Sequence, residues 1–279
     1  MKMIDKINYL KEKHTFTLSI LIVVVYLAAL RSVKWIAAFP ITFKGYELQL
    51  ISECIGIAAA LIIMHLVKKK YIIKEKGIGI LRGLFVGGFL VVICLLGAAS
   101  ALANVLHNGK ANQLLPLPQI VIFIATMAGV GISEEFIFRG TILNLFIDKF
   151  NKTPKGIYAS IITSSAIFGI AHITNIFSGV SVKSAFIQAV GAAVLGSLLA
   201  AIYLRTRNIW VVAILHAFMD FSALIGSGFF GTNSIASEIN SYTWVKFIGC
   251  LIYLIPVFVL LRKKKLAEIL ENEELKEYN

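Results

Sequence analysis

Two adjacent glutamates and an arginine stand in "GISEEFIFRG", residues 131–140, where almost every neighbour is apolar. Glu135 and Arg139 are four apart and share one helical face. The carboxylate lies on the N-terminal side, the better order for an ion pair. Glu134 points about 100° away. Arg139 can therefore compensate Glu135 and leave Glu134 free for other work. In "FGIAH", Phe168 and His172 are four apart, so the ring can pack beside the imidazole. In "HAFMD", His216 and Asp220 are four apart, and the carboxylate can fix the tautomer and orientation of the ring. A carboxylate, an imidazole and an imidazole with an orienting partner are groups that activate water. Each stretch alone reads as well as a structural charge cluster or a packed histidine. The three together favour a shared site.

The elements that carry these residues are membrane helices. Charged residues make up only 15% of the 279 and hydrophobic ones 58%; a soluble domain carries about 25% charged residues. Eight spans are expected, at about 16–37, 48–67, 83–104, 119–145, 157–175, 184–204, 208–226 and 244–261. Most are near the roughly 20 apolar residues that cross about 30 Å of hydrocarbon. The fourth is long and must tilt or leave the bilayer. The fold class is therefore all-α and polytopic: one integral-membrane domain over 1–279, its catalytic core drawn from spans four, five and seven. A charge at a helix centre costs about 2.5–3.5 kcal/mol. Glu134, Glu135, Arg139, His172, His216 and Asp220 all lie well inside spans and so need partners or a common cavity. Glu53 and His65 lie near span ends and read as interfacial. Cys54, Cys94 and Cys250 form no CxxC pair and read as small buried hydrophobes.

The net charge of +12 is explained by topology. With the N-terminus inside, the inner tails and loops hold 20 of the 27 Lys and Arg, the outer segments six, and Arg139 is the remaining one. That asymmetry places both termini in the cytoplasm. No soluble basic domain exists to contact phosphates, so nucleic acid is excluded as a partner. The first apolar run follows "MKMIDKINYLKEKH" without a small-residue cleavage site and reads as an uncleaved anchor. At 1.5 Å per residue, Glu134 lies about 17 Å, His216 about 12 Å and His172 about 22 Å from the inner ends of their spans. The expectation is a meeting near mid-membrane or in a cavity opening inward, with His172 the outlier.

The three stretches together resemble the CAAX-protease and bacteriocin-processing family, also called CPBP or Abi. Its EExxxR motif stands here as Glu134, Glu135 and Arg139, its FxxxH as Phe168 and His172, and its third motif as His216 and Asp220. Order and spacing agree, over a family-like core of about 119–226. The resemblance implies an intramembrane endopeptidase acting on a membrane-bound peptide or protein. It implies that Glu134 and His172 activate a water and that His216 stabilises the oxyanion. Where the family has Asn, this chain has Asp220, which donates only if protonated; Asp220 is therefore read as the partner that holds His216. Glu135 and Arg139 are read as a structural ion pair and Phe168 as packing beside the site. No cofactor is favoured. If zinc is bound, Glu134, His172 and His216 are its ligands, with an open position for water. Short loops and a lysine- and isoleucine-rich, acid-poor chain point to a bacterial cell membrane. The resemblance leaves CAAX-type and bacteriocin- or pheromone-type substrates open. The competing readings are a non-catalytic immunity or scaffold protein and a proton-coupled transporter; no internal repeat supports the latter.

Overall fold

The computed structural model describes residues 3–38, 40, 42–107, 113–150 and 152–274, and among them there are helices and no strands. Seven helices are long and apolar enough to cross a membrane. They are α1 (Thr15–Arg31, continued by Val33–Ala37), α2 (Glu47–Leu66), α3 (Gly88–His107), α4 (Leu117–Glu135), α5 (Pro154–Ile173), α6 (Val182–Thr206) and α7 (Ile209–Phe230). Local sequence sets their starts. Thr153 caps α5, accepting from Gly156 N at 3.0 Å, with Pro154 at the first helical position; Asn208 caps α7, accepting from Trp210 N at 3.0 Å. Their outward faces carry exposed Ile62, Leu96, Val121 and Ile162, as lipid-facing helices should.

The eighth expected span is broken. It runs as Trp244–Gly249, a tight 3₁₀ turn at Cys250–Tyr253, and Leu254–Leu260, then bends by 66° into Lys263–Glu271. Pro256 has no N–H for the carbonyl of Ile252, which fits the 3₁₀ turn there; the 66° bend lies beyond it, between Leu260 and Lys263.

The fourth span departs from the expectation in a second way. α4 does not continue as an α-helix: Phe136–Leu143 forms a π-helix before Asn144–Phe150 resumes the α-form, so the apolar run reaches Phe150. Side chains use the carbonyls of the widened turns. Thr141 Oγ1 donates to Phe136 O at 3.0 Å and Asn144 Nδ2 to Arg139 O at 2.7 Å.

The first and last described helices, Met3–Lys13 and Lys263–Glu274, lie on one face of the bundle. Lys11 Nζ donates to Val67 O (3.2 Å), Lys149 Nζ to Glu12 O (3.2 Å), and Lys69 pairs with Asp148 at 2.7 Å. Asn208 Nδ2 donates to Lys76 O (2.9 Å), and Arg205 binds Glu268 at 2.8 Å. The opposite face is tied by Arg31 Nη2 to Thr174 O (3.0 Å), Tyr46 OH to Ser227 Oγ (2.8 Å) and Asn240 Nδ2 to Gly179 O (3.0 Å).

Two side chains are not where the sequence reading put them. Cys54 is exposed on the outer surface of α2 rather than buried; Cys94 and Cys250 are buried. Glu53 is not interfacial but buried, with 6% of its surface exposed, while His65 is exposed. The difference is one of helix face: Glu53 turns inward because Gly129 on α4 makes room, a Cβ there standing 2.8 Å from Glu53 Cβ.

Candidate functional site

The site forms where α4, α5 and α7 converge. Gly131 brings α4 against α7 so closely that a Cβ would run into Ala213 O and stand 2.8 Å from Ala217 N. Glu134 and Glu135 follow within one turn on α4, and His216 lies between the two alanines on α7. The small-residue contact thus sets the distance between carboxylates and imidazole. Gly131→Val is expected to push the helices apart. Overpacking costs about 1–3 kcal/mol, and a shift of about 1 Å can cost 10²-fold in rate. Detergent melting and peptide cleavage on that variant check both effects; unchanged values would place the spacing elsewhere.

Glu135 is fully buried and serves two partners. Its Oε1 lies 2.6 Å from Arg139 Nη1 and 2.7 Å from His216 Nδ1. The carboxylate accepts, so His216 donates from Nδ1–H and presents Nε2 to the cavity. Two carboxylates flank that nitrogen, Glu134 Oε2 and Asp220 Oδ2, each at 3.7 Å. The expected Glu135–Arg139 contact is present. The expected His216–Asp220 contact is also present, at 3.7 Å, but Asp220 stands at Nε2 and it is Glu135 that hydrogen-bonds Nδ1. The imidazole points across to α4 rather than down its own helix, which puts the i+4 carboxylate beside Nε2.

Arg139 is 2% exposed, and its guanidinium also lies over the Phe168 ring, 4.5 Å from the centroid. Gly196 on α6 makes space for both, a Cβ there standing 3.0 Å from Phe168 Cδ1 and 3.1 Å from Arg139 Nη2. Phe168 packs edge-on against His172 at 4.7 Å and His216 at 5.8 Å between centroids. His172 Nδ1 lies 2.9 Å from Phe168 O. A carbonyl only accepts, so Nδ1 carries the proton and Nε2 is left with the lone pair in the neutral ring.

Glu134, His172, His216 and Asp220 line one cavity of about 630 Å³, and Glu53 lines it with them. Glu53 Oε2 accepts from Ser133 Oγ at 2.8 Å, and that hydroxyl accepts from Tyr26 OH at 2.8 Å. The sequence reading missed this carboxylate. The available signal was an apolar-flanked glutamate near a span end, with Ser133 directly before the EE pair. A second cavity of about 270 Å³ shares His172, His216 and Asp220 and runs past Gly191, Leu195, Met219, Cys250 and Tyr253.

Among the described residues no three His, Cys, Asp or Glu side chains are gathered as a metal ion would need. Glu134, His172 and His216, the candidate zinc set, are not such a group as they stand here.

Residues 116–222 match the model of the Rce1-like type II CAAX prenyl endopeptidases. This CAAX-protease-like region starts at the head of α4, ends within α7, and contains every residue of the three motifs. It is similar to a CAAX-type intramembrane endopeptidase and lies in a multi-pass, all-helical chain. Searches of curated proteins and of solved structures gave no match.

Proposed function

We propose that this chain is an intramembrane endopeptidase that hydrolyses a peptide bond of a membrane-associated peptide or protein. The observation that carries the reading is His216: Glu135 fixes its Nδ1, and its Nε2 faces Glu134 and Asp220 over a cavity shared with His172. Glu134 takes a proton from a water held at His172 Nε2. The water oxygen bonds to the carbonyl carbon, and the carbonyl oxygen becomes an oxyanion. His216, when protonated, donates from Nε2 to that oxyanion. As the tetrahedral carbon collapses, the C–N bond breaks and the leaving nitrogen takes the proton from Glu134. Arg139 and Glu135 act through His216 and do not touch substrate. The whole chain is proposed to work as one integral-membrane unit, bacterial in origin, with the basic face in the cytoplasm.

The test is purified protein in detergent mixed with a library of membrane peptides, read by mass spectrometry. Cleavage that disappears on changing Glu134 or His172 supports the reading; a chain that binds peptides and cuts none supports an immunity or scaffold role.

The mechanism proposed uses no metal. Active enzyme is expected to contain well under about one zinc per chain and to survive chelators. Stoichiometric zinc whose removal stops cleavage would overturn this and make Glu134, His172 and His216 ligands, with the helices moving to gather them.

A further inference from the structure

We infer that the site is supplied from the face opposite the basic one, so that its substrate is an extended peptide segment at the outer surface of the membrane. The inference rests on the peptidase reading for its chemistry, and on the following geometry for its direction.

The cavity floor is made by Glu53, Glu134, His172 and His216. Its upper wall and mouth are Arg31, Gln49, Asn175, Ser178, Gln188 and Tyr242. These lie at or beyond the ends of α1 and α5, at the starts of α2 and α6, and just before the eighth segment, all on one face. None of residues 67–79, 148–150, 152–156, 205–208 or 261–265, which make the other face, lines it. The expected inward opening is therefore reversed relative to the described ends of the chain. Tilt does not change this, because the mouth is built from loops of one face only.

Charge gives that face its side. The face with the first and last described helices carries "VKKKYIIKEKG", "LRKKKLAE", Lys149, Lys155, Arg205 and Arg207. Basic residues in short loops mark the cytoplasmic side. The mouth then opens outside. Its amides and hydroxyls, Gln49, Ser52, Asn175, Gln188 and Ser241, offer both donors and acceptors, which suits a peptide backbone. The adjoining apolar cavity past Leu195, Met219 and Cys250 reaches the same histidines and can take an apolar side chain next to the scissile bond. A cytoplasmic chain end, lipidated or not, would have to cross the bundle to reach this mouth.

The experiment is cysteine labelling in intact cells with a small, charged, membrane-impermeant thiol reagent, the unaltered chain serving as blank. Ser178→Cys tests the mouth, Ser52→Cys the cavity wall and Lys74→Cys the basic face. The first two are expected to react in intact cells, and Lys74→Cys only after lysis. If Ser52→Cys fails to accumulate, Ser241→Cys takes its place. Lys74→Cys reacting in intact cells would overturn the orientation. A cavity position reacting only after lysis would overturn the outward supply. Labelling needs no turnover, so a chain that labels as expected but cleaves nothing refutes the peptidase reading and leaves the access route standing.

Discussion

Glu134→Gln is expected to give a folded, normally expressed protein whose peptide cleavage falls by about 10²–10⁴-fold, the usual loss of a general base. Glutamine keeps the size and shape of the side chain but takes no proton. Glu134 is partly exposed to the cavity, yet its Oε2 is buried without a hydrogen-bond partner and lies 3.7 Å from His216 Nε2. The change orphans no cation, because Arg139 pairs with Glu135. Melting in detergent should therefore stay close to the parent. A variant that cleaves at nearly the parental rate, or melts as early as Glu135→Gln, would return the EE pair to a structural charge cluster.

Glu135→Gln should behave differently. It leaves Arg139, 2% exposed, without its counter-charge and weakens the acceptor at His216 Nδ1. Breaking one side of a buried pair costs about 3–5 kcal/mol. Poor expression and early melting are expected, with activity lost alongside. Arg139→Gln should destabilise similarly, since it strips Glu135 of its cation. The double change removes both charges, and its melting temperature should recover part of the loss. Its cleavage should not recover in step, because His216 then faces a neutral amide where it had a carboxylate. That split between stability and rate separates a positioning role from a purely structural one. If rate and melting temperature recover together in the double variant, Glu135 serves Arg139 alone.

Most of the scaffold was legible because membrane crossing imposes a length and a polarity that show in composition. Seven of the eight expected spans correspond to helices whose ends differ from the expectation by a few residues, apart from the extension to Phe150. The eighth, 244–261, corresponds to Trp244–Leu260, with a 3₁₀ turn ahead of Pro256 and the 66° bend only beyond its end, neither of which a hydropathy count registers. Within the site, i,i+4 spacing put Glu135 beside Arg139 and Phe168 beside His172, since those contacts lie within one helix. It put Asp220 beside His216, where it stands at 3.7 Å, but missed the closer partner Glu135, which comes from another helix and which no spacing along α7 reveals. Glu53 escaped for the same reason: its placement depends on Gly129 and Ser133 across the bundle. The sequence reading allowed a meeting near mid-membrane or a cavity opening inward, and rise per residue could not choose between them, because it measures depth along one helix and not where several helices part.

The π-helix at Phe136–Leu143 has a further consequence, for the way this segment can change over time. Such a turn closes i→i+5 rather than i→i+4, so it houses one residue more than the α-form and is found mostly at functional sites. Losing any one residue between 136 and 143 would let the run relax into a plain α-helix without shortening the span appreciably. Everything beyond it, including Asn144 against Tyr203, would keep its facing relative to the EE pair, because the widened turn is what absorbs the extra residue. A single-residue gap here therefore changes which side chains line this stretch and, among residues 136–138, the spacing of Glu135 to Arg139, while the rest of the helix stays in place. An alignment that treats the stretch as regular helix will pair the wrong residues on one side of Arg139.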